Sequence, residues 1–183
     1  VLLNNKNESK RKKIETEMLE REEDFNTERQ SFQSDITTFV NKTSDIDLTK
    51  LSKRPYDVLN TSDTTISVFD MLHNIDDIDD SMYYHSLNVA LICNVIGHWL
   101  NYSKADIEVL SLAGLLHDIG KLMIPDDILK KPEKLTDEEF QSVQLHPIIG
   151  YEFVKDEPID QRIKEAILKH HERCDGSGYP SML

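Results

Sequence analysis

The chain is poor in cysteine, in apolar residues and in positive charge. Two cysteines, Cys93 and Cys174, stand alone among 183 residues and form no C-x-x-C pair. That excludes a disulfide framework and makes a reducing, cytoplasmic setting the default. Cys174 lies beside a histidine pair, where it reads most simply as a bystander thiol. No run of about 18 apolar residues exists, so no segment of this stretch is built to span a bilayer. The opening Val1-Leu2-Leu3 is too short for a secretory signal. It is also no initiator methionine, so the sequence reads as a piece of a longer chain. Lys and Arg number 21 against 34 Asp and Glu, a formal net charge of −13. A surface of that sign repels nucleic-acid duplexes and anionic lipid. It leaves room for an anionic small molecule held through metal, because a bound cation dominates the field at short range. No internal repeat and no strand pattern appears, and the fold class expected is all-α.

What is present begins with a charged N-terminal stretch, 1–65. Met18, Phe25, Phe32 and Phe39 recur every seven residues, with Ile14 and Ile36 near the same face. This spacing predicts an amphipathic helix that docks on the following domain or pairs with a second copy as a homodimer. Residues 41–64, rich in Asn, Thr, Ser, Asp and Lys around Pro55, read as a linker. From residue 66 the pattern turns helical. A helix over about 81–101 carries His85 and is apolar on most faces, which predicts burial. The acidic cluster 76–80 before it supplies helix-start charge. Ser103-x-x-Asp106 starts the next helix, which runs to His117-Asp118 and is broken by Gly120. Thr136-x-x-Glu139 is a capping box for a helix ending near His146-Pro147. Asp160 caps a last helix over about 161–173.

Five of the seven histidines fall at spaced points of this pattern: His85, His117, His146 and the pair His170-His171. His73 and His98 fit no motif. Neutral imidazole is the commonest protein ligand for transition metals near neutral pH, and a helical bundle can bring such residues together in its core. Asp118 is the informative companion, because a carboxylate at the buried end of an apolar helix needs a compensating charge. One carboxylate can bridge two ions about 3.5–4 Å apart, an arrangement that generates hydroxide for in-line attack on a phosphodiester. Adjacent residues on a helix point about 100° apart, so His170 and His171 can serve one site only if the helix ends there. Imidazole binds metal only when neutral, so bound metal should leave as pH falls through about 6. Metal content measured between pH 5 and 8 checks this.

The run His117-Asp118-x-Gly120-Lys121 and the run His170-His171-Glu172-Arg173-x-Asp175-Gly176-Ser177-Gly178-Tyr179-Pro180 together resemble the signature of the HD-GYP domain, a subgroup of the HD phosphohydrolases. The intervening stretch from Pro125 to Thr136 also fits. The resemblance covers residues 66–183 and implies an HD-type helical bundle. It implies a metal-dependent phosphodiesterase that opens cyclic di-GMP to pGpG and GMP, through two ions, iron or manganese, with a bridging hydroxide. Carried onto this chain, His85, His117 and Asp118 match ligands of one ion. Asp118 would bridge to a second ion held by His146, His170 and His171. Lys121 matches a catalytic lysine that contacts substrate phosphate, and Gly178, Tyr179 and Pro180 match a substrate-side loop. Ser81 stands where some members carry a glutamate for a third ion, which favours two. The family pattern continues past Leu183 with another ligand aspartate, so the domain reads as C-terminally incomplete and this fragment as given as potentially inactive. The alternatives are a non-catalytic cyclic-dinucleotide-binding or protein-interaction module, and an HD hydrolase of another cyclic nucleotide.

Overall fold

The computed structural model describes residues 16, 23, 26–42, 47–51 and 82–183. Ile14, Met18, Phe25, most of the expected linker, His73, the acidic cluster 76–80 and Ser81 lie outside them. Every regular element among the described residues is helical. We label as α1 the helix of which 26–40 are described, then α2 (Leu48–Leu51), α3 (Met82–Trp99) and α4 (Lys104–Leu116). A 3-10 turn follows (Ile119–Met123), then α5 (Asp126–Leu129), α6 (Asp137–Val143), α7 (His146–Val154) and α8 (Gln161–Lys169). None of the described helices is long and apolar enough to cross a membrane.

α3 and α4 form the central pair. Residues 100–103 turn the chain, and the Ser103 side chain accepts a hydrogen bond from the Asp106 amide to start α4. Gly97 lies against Ile107, and Gly114 against Ala90 and Cys93, the reversed order of an antiparallel pair. Between these contacts the buried Asn94 donates its Nδ2 to Ser111 Oγ at 3.2 Å. Leu87, Leu91, Leu112, Leu115 and Leu116 continue the core into Ile119, Val154, Ile163 and Ile167, so α7 and α8 close over α4. Phe32 and Ile36 of α1, with Leu48 and Leu51 of α2, are buried in the same cluster, and Phe32 meets Tyr83 edge-on at 6.0 Å. Two members of the expected apolar stripe of α1 are thus turned to the domain.

One burial pattern and two helix boundaries differ from the sequence reading. α3 is apolar on most faces yet not buried on most: Ile92, Ile96 and Trp99 are exposed, while Leu87, Ala90, Leu91 and Val95 on the remaining faces are buried. α6 ends at Val143, and His146 begins α7 rather than closing α6. Pro147 explains this, since a residue without an amide proton fits the first turn of a helix as well as it stops the preceding one. α8 ends at Lys169, four residues early, where the Glu172 amide donates to the Lys169 carbonyl in a closing turn.

The Thr136 capping box forms as expected: its hydroxyl accepts from the Glu139 amide and the Glu139 carboxylate accepts from the Thr136 amide. Thr136→Ala should cost about 1 kcal/mol. That lowers the melting temperature by about 2–4 °C in a chain of this size. A thermal melt of the variant checks it.

Candidate metal centre

Five elements deliver the site. His117 is the C-cap of α4, and Asp118 opens the 3-10 turn. His146 is the first residue of α7, His170 caps α8, and His171 follows outside the helix. The end of α8 at Lys169 thereby removes the difficulty of two adjacent histidines on one helix. His85 lies in the first turn of α3, and its side chain is 57% exposed, at the mouth of the site and not inside a buried helix. Gly120 makes the approach possible. A Cβ there would overlap the His146 carbonyl oxygen and lie 2.7 Å from the Gly150 amide nitrogen. The backbone that carries Asp118 therefore packs directly on the first turn of α7.

Asp118 is the centre of the arrangement, only 2% exposed. Its Oδ2 is 3.0 Å from His117 Nε2 and 3.6 Å from His85 Nε2. Its Oδ1 is 3.2 Å from His146 Nε2 and 3.6 Å from His170 Nε2. Neighbouring imidazole centroids are 4.3–5.3 Å apart. Lys121 reaches in from the half-buried rim and donates to Oδ2 at 2.7 Å. Burial alone would raise the Asp118 carboxyl; hydrogen bonds from His117, His146 and His170, which require protons on their Nε2 atoms, outweigh it and hold the group well below the usual carboxylate range. Asp118 is a carboxylate. Burial, with His170 and His146 beside it, pushes His171 down to about 4, so this ring is neutral at pH 7.

The donor set fits a metal. His117 Nδ1 lies 2.7 Å from the Gly114 carbonyl, His146 Nδ1 2.7 Å from that of Val143, and His170 Nδ1 2.8 Å from that of Ile167. A carbonyl only accepts, so each Nδ1 carries the proton and each neutral ring offers a lone pair at Nε2. Those Nε2 atoms face the carboxylate and one another, with His146 and His170 Nε2 3.1 Å apart. Asp118 Oδ1 is buried and accepts no aligned hydrogen bond, although two imidazole nitrogens crowd it. Lone pairs aimed at an anion repel it. Three imidazolium rings beside Lys121 would instead leave a large excess of positive charge in a closed space. A divalent cation resolves both problems. The potential ligand atoms fall into two groups that share Asp118, one with His146, His170 and His171, the other with His85 and His117; within each group all lie within 4.8 Å of one another. His98, which fitted no motif, is exposed.

The loop after the histidine pair folds back onto it. Asp175 Oδ1 accepts from the amide and the hydroxyl of Ser177, and Gly176 takes φ +74°, a conformation other residues rarely adopt. Gly178 is buried against the backbone of His171, Glu172 and Arg173. Tyr179 donates its amide to the His171 carbonyl at 3.2 Å and stacks its ring on the His171 imidazole. The sequence reading gave Gly120 only a helix-breaking role and gave Glu172 none. The signal for both was closeness in the chain to a metal-type residue: Gly120 lies two residues after Asp118, and Glu172 directly follows His171.

The HD domain family matches residues 59–183, well over half of the chain. The chain belongs to the HD domain family. It is 42% identical over 103 residues to a cyclic di-GMP phosphodiesterase of Pseudomonas aeruginosa, covering 56% of this chain and 25% of that protein. It is 38% identical over 120 residues to a cyclic di-GMP phosphodiesterase of Thermotoga maritima, covering 64% of this chain and 32% of that one. It is 39% identical over 101 residues to a 3'3'-cGAMP-specific phosphodiesterase of Vibrio cholerae, covering 54% and 19%. Among solved structures the chain is similar to Bd1817, a HDG"Y"P protein from Bdellovibrio bacteriovorus, with TM-score 0.65 and 22% identity over 85% of this chain and 52% of that one. That likeness is one of fold. The HD domain thus spans about a quarter to a third of the length of the two cyclic di-GMP phosphodiesterases.

Proposed function

We propose that this HD domain hydrolyses a phosphodiester bond of a cyclic dinucleotide, cyclic di-GMP before others, giving pGpG and GMP. The observation that carries the reading is the set of three imidazoles whose Nδ1 protons are committed to carbonyls while their Nε2 atoms converge on one buried carboxylate. The names of the curated relatives support the substrate class. His85 and His117 would hold one ion and His146, His170 and His171 a second, with Asp118 shared; iron or manganese suits an imidazole-rich set with one carboxylate. When bound, such a pair supplies Lewis acidity toward the phosphodiester and hydroxide at neutral pH.

The chain's own residues do the rest. Asp118 keeps its charge under burial and so remains available to two ions at once. Lys121, a salt-bridge partner at the rim, offers an ammonium to a phosphate oxygen arriving from solvent. The Gly178-Tyr179-Pro180 loop walls the His171 side and gives a nucleotide a surface to approach. His85, exposed at the mouth, leaves that side open. The overall negative charge elsewhere makes the metal pocket the place where an anion is favoured. Both cysteines are free, which fits a reducing cytoplasm. A homodimer through α1 would have to use residues other than the buried Phe32 and Ile36.

The test is hydrolysis. Purified protein loaded with iron or manganese should release pGpG or GMP from cyclic di-GMP. His117→Ala should abolish this. No turnover of any cyclic dinucleotide by metal-loaded protein would overturn the reading in favour of a binding module. The similarity to a cGAMP-specific enzyme gives a second candidate substrate, cyclic GMP-AMP. Competition between the two separates them.

A further inference from the structure

We propose that Glu172 and Tyr179 are positioning residues for the His171 imidazole. The Glu172 carboxylate ties the loop that follows the histidine pair, and the tied loop holds the Tyr179 ring flat on His171. The inference deepens the proposed function and rests on it for the ion that His171 would help hold.

His171 needs such a device because it lies beyond the end of α8. His117, His146 and His170 are each oriented by a bond from Nδ1 to a carbonyl three residues earlier. No such bond fixes the His171 ring among the described residues. Its faces are set by neighbouring rings instead: His170 at 4.3 Å, His146 at 5.0 Å edge-on, and Tyr179 at 4.5 Å with an interplanar angle of 19°. The first two are themselves in the ligand set. Tyr179 is the only ring of this group that belongs to the supporting scaffold.

Tyr179 reaches His171 because the chain reverses between them. The reversal is secured from Glu172, the residue next to His171. Glu172 Oε1 accepts from the Ser181 amide at 2.5 Å and Oε2 from the Leu183 amide at 3.0 Å. One carboxylate thus bridges the root of the loop to its return arm by two charge-assisted bonds. Glu172 forms no ion pair with a lysine or arginine of the described residues, so its charge is directed to these amides. Gly178, where a Cβ would lie 2.5 Å from the His171 carbonyl oxygen, lets the arm pass this close. The contact to His171 is made by the Tyr179 ring, and among the described residues no hydrogen bond from its hydroxyl accompanies it. The ring, rather than the hydroxyl, is the working part. Groups that orient a metal-binding imidazole typically change metal affinity by about 10–100-fold when removed.

Two measurements on the chain test this. In the metal-free protein, the ring carbon-bound protons of His171, assigned by their loss in His171→Gln, should resonate upfield under the Tyr179 ring current. Tyr179→Phe should keep that shift. Tyr179→Leu and Glu172→Ala should abolish it, and Glu172→Gln, which retains one acceptor oxygen, should reduce it. In manganese(II) titrations, Tyr179→Leu and Glu172→Ala should weaken one of two ions by about 10–100-fold. Tyr179→Phe should match the parent. Circular dichroism should show that each variant keeps its helices. Unchanged His171 signals in Tyr179→Leu and Glu172→Ala would overturn the proposal without reference to metal. Altered signals with parental manganese affinity would overturn it too. A parent chain that shows the expected shifts but takes up no manganese would sink the metal reading while upholding the loop geometry.

Discussion

Replacing Asp118 by asparagine should lower hydrolysis of a cyclic dinucleotide by on the order of 1,000-fold or more and empty both ion positions together. The substitution keeps the shape of the side chain and removes its charge. Asp118 is the one residue common to both candidate ligand groups among the described residues. Loss of metal Lewis acidity is worth several kcal/mol of barrier, and each 1.36 kcal/mol is tenfold in rate. Lys121 loses its partner in the same step, which compounds the defect. The helices should persist, because Asp118 stabilises no helix start: its side chain makes no cap bond to the 3-10 turn. Metal analysis beside steady-state rates on the same preparation checks both parts. An asparagine variant that keeps its full metal content would contradict the shared-carboxylate arrangement outright.

Gly120→Ala should damage stability and metal binding at once. The added methyl group meets backbone, the His146 carbonyl and the Gly150 amide, and backbone cannot rotate away. Overpacking of this kind costs about 1–3 kcal/mol, and the upper end applies when nothing flexible can yield. Each kcal/mol lowers the melting temperature by about 2–4 °C in a chain of this length. The strain is relieved by parting the 3-10 turn from α7, which moves Asp118 away from His146. Metal uptake should therefore fall more than the melting temperature alone would suggest. At Gly176 the added group would meet only the Met182 carbonyl, at 3.8 Å, so Gly176→Ala should strain its turn through φ +74° while leaving the packing at Asp118 and His146 intact. If Gly120→Ala melts with the parent and binds metal normally, direct packing of the two backbones is not what builds the site.

Much of this was legible residue by residue. Ser103, Thr136 and Asp160 each cap the helix expected of them, because a cap is a bond between near neighbours in the chain. The misreadings share a different cause. His146-Pro147 looks alike as the end of one helix and the start of the next, and only the closure of α6 at Val143 decides between them. Arg173 and Glu172 suit a helix well, yet Glu172 is taken up by loop amides two turns of chain away, and α8 stops first. The apolar faces of α3 announced burial, but Ile92, Ile96 and Trp99 are exposed, because burial depends on where other helices pack, which the local pattern does not encode.

By itself the order of residues determined the kind of chemistry: imidazoles, one carboxylate and a tight turn, spaced along a series of helices, and the helices themselves. Tertiary packing alone decided that these groups meet. Asp118 and His146 are 28 positions apart, and the chain between them could run anywhere; it is the bare backbone of Gly120 against α7, with α4 and α8 closing over one core, that aims five rings at a single carboxylate. Such contacts depend on shape across separate helices, which no local pattern encodes.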